Sequence, residues 1–169
     1  VINKFYQLPN LPALPENIIA DGLADGFEYT VMPFTYTKSA PSFYTTVFYK
    51  LLEKQFGEEN CEPKYLKNAP NSFYDWHTDK ARKCALNYVV RTNSNAKTFY
   101  RTPLSTKMFF GLEEVIYSDQ FPTLIDTTHE HCVFNNHPEE RVILTISIWN
   151  HSYQEVLKFL QSVEITEID

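Results

Sequence analysis

Apolar and polar positions along this chain follow two rhythms. From Glu62 onward, short apolar runs alternate with turn-forming clusters: Lys64–Lys67, Phe73–His77, Cys84–Val90, Lys97–Arg101, Leu112–Tyr117, Thr123–Ile125, His131–Asn135 and Val142–Trp149. Asn68-Ala69-Pro70-Asn71, Thr92-Asn93-Ser94-Asn95 and Asn135-Asn136-His137-Pro138 separate several of them, and this texture predicts short strands joined by turns. Outside this stretch the period is mostly helical. Ser42–Phe56 predicts a helix with Ser42 as N-cap, Phe43, Val47, Leu51, Leu52 and Phe56 on one face, and Gly57 closing it. Ser152–Val163 predicts a closing amphipathic helix whose stripe is Val156, Phe159, Leu160 and Val163, packed outside a sheet.

The beginning of the chain is less regular. Leu8-Pro9-Asn10-Leu11-Pro12-Ala13-Leu14-Pro15 is too rich in proline for a helix and reads as an extended arm. Pro15 fits the first turn of a short helix through Asn17–Ala20 that ends near Gly22. Tyr29–Tyr36, aromatic and β-branched, predicts a strand ending before Lys38. The expected fold is mainly β (α+β): a double-sheet jelly roll with N-terminal helices and a C-terminal helix packed outside.

At 169 residues the chain corresponds to one domain at about 150 residues per domain. Within it, residues 1–70 read as helical and extended support, 71–150 as the jelly-roll core, and 151–169 as the final helix and tail. A composition of 43% hydrophobic and 21% charged residues is that of a soluble globular protein. No run approaches the ~20 apolar residues that span a bilayer, so no membrane association is expected. Val1–Tyr6 lacks the charged-then-apolar order of a signal peptide. Cys61, Cys84 and Cys132, widely and unequally spaced, are not a disulfide framework, and a cytoplasmic location is expected. Cys84 and Cys132 fit as small buried hydrophobes. A net charge of −6 argues against nucleic-acid binding, which needs clustered Lys and Arg. The short cluster Lys80, Arg82 and Lys83 fits a solvated turn.

The chemistry centres on histidine. In Trp76-His77-Thr78-Asp79, an extended backbone points His77 and Asp79 to the same face. An imidazole and a carboxylate that converge are two-thirds of a facial triad, in which two His and one carboxylate occupy one side of an octahedral iron. By itself His-x-Asp at a strand end also describes an Asp that satisfies turn amides beside an exposed His. Candidates for the third ligand lie together as His129, His131 and His137. His131 is preferred because it opens a strand-like run, whereas His129 follows a polar loop and His137 sits in a turn beside Pro138. Arg141 then opens the most apolar strand of the chain. Pointing inward it would need an anionic partner, because an unpaired buried charge is very costly; pointing outward it would be an ordinary strand-edge Arg.

The sequence His77-x-Asp79, His131-x-Val133, and Arg141 ten residues beyond His131, resembles the 2-oxoglutarate- and Fe(II)-dependent oxygenase superfamily. The strand Arg82–Val90 is similar to its counterpart in the prolyl and aspartyl/asparaginyl hydroxylase branches, and the similarity covers about Phe73 to Trp149. The resemblance implies a double-stranded β-helix in which His77, Asp79 and His131 bind Fe(II). It further implies that Arg141 holds the distal carboxylate of the co-substrate 2-oxoglutarate through paired charge-assisted bonds. The implied activity is hydroxylation of an amino-acid side chain or small metabolite, with release of succinate and CO₂. The strand after the proximal motif often adds a co-substrate contact: Asn87, which shares a face with Ala85 and Val89, or Tyr88 if a bulge shifts the register. The chain departs from the pattern at Ile143, where some branches carry Ser, and in Asn93–Ala96, which lacks the glycine pair common in related oxygenases.

Other readings use the same residues differently. His129, His131 and Cys132 could join His77 around a structural Zn²⁺, although adjacent His131 and Cys132 face opposite sides of a strand. The alternative function is then a non-catalytic, cupin-like jelly roll that binds a metal or ligand. Trp76 could wall the pocket or join the core, and His151 reads as a residue at the start of the closing helix.

Overall fold

Each of the eight runs predicted as strands after Glu62 contains a strand, although the run Leu112–Tyr117 leaves strand after Glu114, and they assemble into two antiparallel sheets. The structure is a computed structural model and describes residues 3–30, 34–91, 96–103 and 110–168. In chain order its first elements are β1 (Phe5–Gln7), α1 (Glu16–Leu23), β2 (Glu28–Tyr29), β3 (Thr35–Ser39), α2 (Pro41–Tyr44) and α3 (Val47–Phe56). They are followed by β4 (Cys61–Asn68), β5 (Ser72–His77), β6 (Arg82–Arg91), β7 (Ala96–Pro103) and β8 (Phe110–Glu114). The last are β9 (Thr123–Asp126), β10 (His131–Asn135), β11 (Arg141–Trp149) and α4 (Tyr153–Ser162). The turn predicted at Thr92–Asn95 lies outside the described residues.

The large sheet has the order β1-β9-β6-β11-β4-β3-β2 and the small one β5-β10-β7-β8. From β4 to β11 the chain changes sheet at every connection but one, β7 to β8, whose strands are paired neighbours. This is the jelly roll expected from the strand spacing. Its first strand is β4, so the sheet core begins at Cys61, inside the stretch read from sequence as support.

Period-two alternation gives the large sheet two different faces. On β11, Val142, Leu144, Ile146 and Ile148 are buried in the main core with Leu8, Leu11 and Ile18, Phe48 and Leu52 of α3, and Val156 and Leu160 of α4. Arg141, Ile143, Thr145 and Ser147 occupy the opposite face, towards the small sheet. Cross-strand register arranges that inner face in rows. Thr35, Asn68 and Arg141 form one; Thr37, Leu66, Ile143 and Val89 the next; Lys64, Thr145, Asn87 and Thr123 another. Polar residues in the middle of a two-sheet sandwich mark a cavity rather than a core.

Three sequence expectations are corrected in the N-terminal part. Tyr29–Tyr36 is not one strand, because β2 pairs back on β3 through Glu28–Thr37 and Tyr29–Tyr36, and Phe34 adopts a φ of 57° between them. Pro33 inside that run carries the breaking signal. The helix predicted over Ser42–Phe56 is interrupted at Thr45–Thr46, whose hydroxyls compete for backbone groups. Thr46, not Ser42, caps the long helix: its Oγ1 accepts from Tyr49 N at 3.0 Å and donates to Phe43 O at 2.8 Å. The restart shifts the helical phase, so α3 buries Phe48, Tyr49, Leu52 and Phe56 and leaves Val47 57% exposed. Gly57 closes it as predicted, with a φ of 90° that a side chain would strain. At α4 the expectation holds: Ser152 and Glu155 form a capping box. No helix among the described residues is long and apolar enough to cross a membrane.

Candidate metal centre

His77 ends β5 and His131 begins β10, and the two are register partners. Between this pair and the pair Val133–Tyr74, β5 has one residue more than β10. This bulge breaks strict alternation, so that Tyr74 and His77 both line the cavity. Their rings are 4.1 Å apart, and those of His77 and His131 are 4.2 Å apart.

Each histidine is oriented by a carbonyl two residues upstream. His77 Nδ1 donates to Asp75 O at 2.7 Å and His131 Nδ1 to His129 O at 2.8 Å. Those bonds assign the proton to Nδ1 and leave the Nε2 lone pair of each ring free. Asp79, just past β5, is anchored by its own N–H to Thr127 O at 3.0 Å. The donor atoms of His77, Asp79 and His131 all lie within 4.8 Å of one another, and they are the group of that kind among the described residues. Burial pushes the His131 imidazole down to about 4, with a smaller lowering from neighbouring His77 against the raising effect of the His129 carbonyl and Asp79. The ring is therefore neutral at pH 7, as a metal ligand must be.

The competing ligands are held elsewhere. His129 Nε2 faces Asp126 Oδ2 at 3.6 Å near the surface. His137 Nδ1 accepts from Glu139 N in its turn. Cys132 is buried beside Phe99, one residue out of phase with His131. The zinc set built on His129, His131 and Cys132 therefore does not assemble. His151 accepts its place at the start of α4, with Nε2 at 3.2 Å from Phe56 O. Trp76 neither walls the pocket nor joins the core; its ring is covered by the Arg101 guanidinium at 4.5 Å.

Arg141 points inward and is 6% exposed. Nη1 donates to Asn68 Oδ1 at 3.3 Å, Nη2 to Thr98 Oγ1 at 3.5 Å, and the guanidinium lies 4.9 Å from the centre of the Tyr117 ring. Among the described residues no carboxylate forms an ion pair with it. A buried cation with neutral neighbours lacks the counter-charge that would offset its burial. Asn87 is buried in the same cavity: Nδ2 donates to Tyr117 Oη at 3.4 Å, and Oδ1 has no partner. Tyr88 faces the other way, into the core beneath the helices, because the bulge that would have turned it inward lies further along, opposite Val142–Ile143. It is no longer a co-substrate candidate.

No family model matches the chain, and no curated protein matches it. Solved structures do. A prolyl-4-hydroxylase of Pseudomonas putida superposes with a TM-score of 0.58 at 13% identity, covering 88% of this chain and 94% of that one. An oxidoreductase of the 2OG-Fe(II) oxygenase family from Burkholderia pseudomallei gives 0.57 at 11% identity over 80% and 78%. AviO1 from Streptomyces viridochromogenes gives 0.56 at 13% over 88% and 90%. The fold is the double-stranded β-helix. At these identities the likeness is one of fold, and the chemistry rests on the side chains of this chain.

Within the double-stranded β-helix, four contributors escaped the sequence reading. Asn68, Thr98 and Tyr117 surround Arg141, and Arg82 holds Asp79 through Nε and Nη2 at 2.7 and 2.6 Å. Asn68 read as the start of a turn, Tyr117 as a strand end and Arg82 as part of a solvated basic cluster. Strand register brings Asn68 and Thr98 to the site, the stretch after β8 brings Tyr117, and Arg82 reaches Asp79 from three residues along the chain.

Proposed function

We propose that the chain is a 2-oxoglutarate- and Fe(II)-dependent dioxygenase that hydroxylates an amino-acid side chain or a small metabolite. The observation that carries this reading is a pairing within one cavity: a convergent His–Asp–His donor set on one wall, and on the other a buried guanidinium with no carboxylate partner among the described residues. A transition-metal site alone does not account for Arg141, and an anion site alone does not account for two imidazoles with both Nδ1–H groups tied back.

The donor set fits a divalent iron: two neutral imidazoles and a carboxylate on one face of the ion leave further positions open. When bound, iron and 2-oxoglutarate would supply the oxidation, in which one atom of O₂ enters a substrate C–H bond and the other enters succinate as CO₂ leaves. His77 and His131 would hold the metal through Nε2 and Asp79 through Oδ1. Arg141 would neutralise the distal carboxylate of 2-oxoglutarate, with Asn68, Thr98 and Tyr117 fixing the plane of its guanidinium. Asn87 Oδ1 lies in the same cavity as an acceptor without a partner. Residues 1–169 would act as one unit, in a reducing cytoplasm that suits three free, buried cysteines.

Anaerobic addition of Fe(II) and 2-oxoglutarate tests the reading. The expected result is the weak visible charge-transfer band of the chelate, absent in His131→Ala. No band in the wild-type protein, or an equal band in the variant, overturns the assignment. Release of succinate from 2-oxoglutarate under air then separates an enzyme from an inert binder.

A further inference from the structure

His77 and Asp79 line two hollows. One is the inner cavity that also holds Arg141. The other is a vestibule of about 370 Å³ over the inner face of β11 and β4, with Tyr74 and Trp149 among its walls. Its volume lies in the range of roughly 300–1,000 Å³ typical of small-molecule sites. Arg141 does not line the vestibule, so an anion bound there would be a different one from any that Arg141 holds.

Two independent features mark the vestibule as a binding site. Thr145 is 2% exposed, lines the vestibule, and its Oγ1 has no hydrogen-bond partner. Buried hydroxyls are nearly always partnered, so one that is not, on the wall of a cavity, awaits a ligand. Charge supplies the second feature. The walls carry Lys64, Lys80 and Arg82 against Glu62 and Asp79. Lys64 meets Glu62 at 2.7 Å, and Arg82 directs Nε and Nη2 at Asp79 and Nη1 at Ser147 Oγ, 3.3 Å away. Lys80 forms no ion pair among the described residues, which leaves the vestibule with one positive charge in excess. A divalent metal on His77, Asp79 and His131 would add to that excess.

A hollow whose walls carry a surplus of one sign concentrates ligands of the other. We propose that the vestibule takes a substrate bearing a carboxylate. The carboxylate pairs with the Lys80 ammonium at the exposed mouth, and the buried Thr145 hydroxyl binds a polar group of the same molecule deeper in. Trp149 flanks the apolar remainder. The identification of this ligand as a substrate rests on the hydroxylase reading above; the carboxylate site itself does not.

Trp149 reports on the vestibule directly. The chain has two tryptophans, and Trp76 lies against Arg101 and lines neither hollow, so Trp76→Phe leaves Trp149 as the single indole. The metal-free full-length variant is titrated with two matched pairs. N-acetyl-leucine and N-acetyl-leucinamide test a free acid; Nα-acetyl-glutamate α-methylamide and Nα-acetyl-glutamine α-methylamide test the acidic side chain of a protein. A saturable change in Trp149 emission is expected with at least one acid, with its amide partner roughly fivefold weaker. Adding Lys80→Gln should weaken that acid by about fivefold and leave the amide unchanged. Thr145→Val should weaken acid and amide alike, and Thr145→Ser should restore both. Adding Arg141→Met should change neither, and binding should persist with anaerobic Fe(II) and saturating 2-oxoglutarate. No saturable change with either acid, equal affinity for the amides, or indifference to Lys80→Gln or Thr145→Val overturns the proposal. So does loss of binding in Arg141→Met, which would place the acid in the inner cavity. If the chelate band forms and no acid binds, this inference fails and the hydroxylase reading stands. If an acid binds as described and no band forms, the hydroxylase reading fails and the carboxylate site stands.

Discussion

Arg82 grips Asp79 by one oxygen only. Its Nε and Nη2 both donate to Oδ2, at 2.7 and 2.6 Å, which turns Oδ1 towards His77 Nε2, 3.9 Å away. The carboxylate is thereby held in the orientation a shared metal requires, by a residue that cannot itself be a ligand. Arg82→Met should weaken Fe(II) binding by roughly 10- to 100-fold, the usual consequence of losing a partner that orients a ligand. Anaerobic metal titration without 2-oxoglutarate measures this, and Arg82→Lys should recover only part of the loss because it lacks the planar fork. Unchanged affinity in Arg82→Met would show that Asp79 needs no such support.

Arg141 predicts the complementary pattern. Arg141→Met should weaken 2-oxoglutarate on the order of 100-fold, since a buried charge-assisted pair is lost. Fe(II) affinity measured alone should stay within about twofold, because the guanidinium reaches Asn68 and Thr98 and not the triad. If both affinities fell together, Arg141 would be holding the sheets in place rather than binding the co-substrate.

The depressed pKa of His131 sets a pH dependence for the metal-free protein. With the imidazole at about 4 in the folded chain and ~6.5 when unfolded, the unfolded state binds more protons between these values. Stability is therefore fully present above about pH 6.5 and declines as pH falls towards 4. Urea midpoints at pH 7.5 and 5.0 should differ, with the lower midpoint at pH 5.0. His131→Asn should reduce that difference; a full decline in the variant would place its origin in other groups.

The helix restart gives a purely structural prediction. Thr46 Oγ1 accepts the Tyr49 N–H at the head of α3, and Thr46→Ala should cost about 1 kcal/mol of stability. Chemical denaturation checks the value, and binding of Fe(II) with 2-oxoglutarate should be unaffected. Thr46→Ser, which keeps the hydroxyl, should lose less.

Much of this arrangement is legible in the sequence because it is written in local terms. The alternation of β6 correctly predicts Ala85, Asn87 and Val89 on one face; His77-x-Asp79 stands out as a local pair at the end of β5, and His131 and Arg141 as the openings of two successive strands. What was not legible depends on partners far along the chain. The bulge in β5 that turns His77 inward exists only relative to β10. Asn68 reaches Arg141 across a strand pair, and Thr98 and Tyr117 belong to no motif at all. The helix break at Thr45–Thr46 was visible in principle, as two hydroxyl-bearing β-branched residues in succession, but the apolar spacing on either side masked it.

The division of labour within β11 has an evolutionary consequence. Val142, Leu144, Ile146 and Ile148 secure the layer under the helices, whereas Arg141, Ile143, Thr145 and Ser147 look into the hollow. Mutational drift at the odd-numbered positions from Ile143 onward can therefore retune what the chamber accepts while the fold's cohesion, vested in the even-numbered ones, stays intact. One strand thus carries both the inheritance of a scaffold and the means to diversify its chemistry.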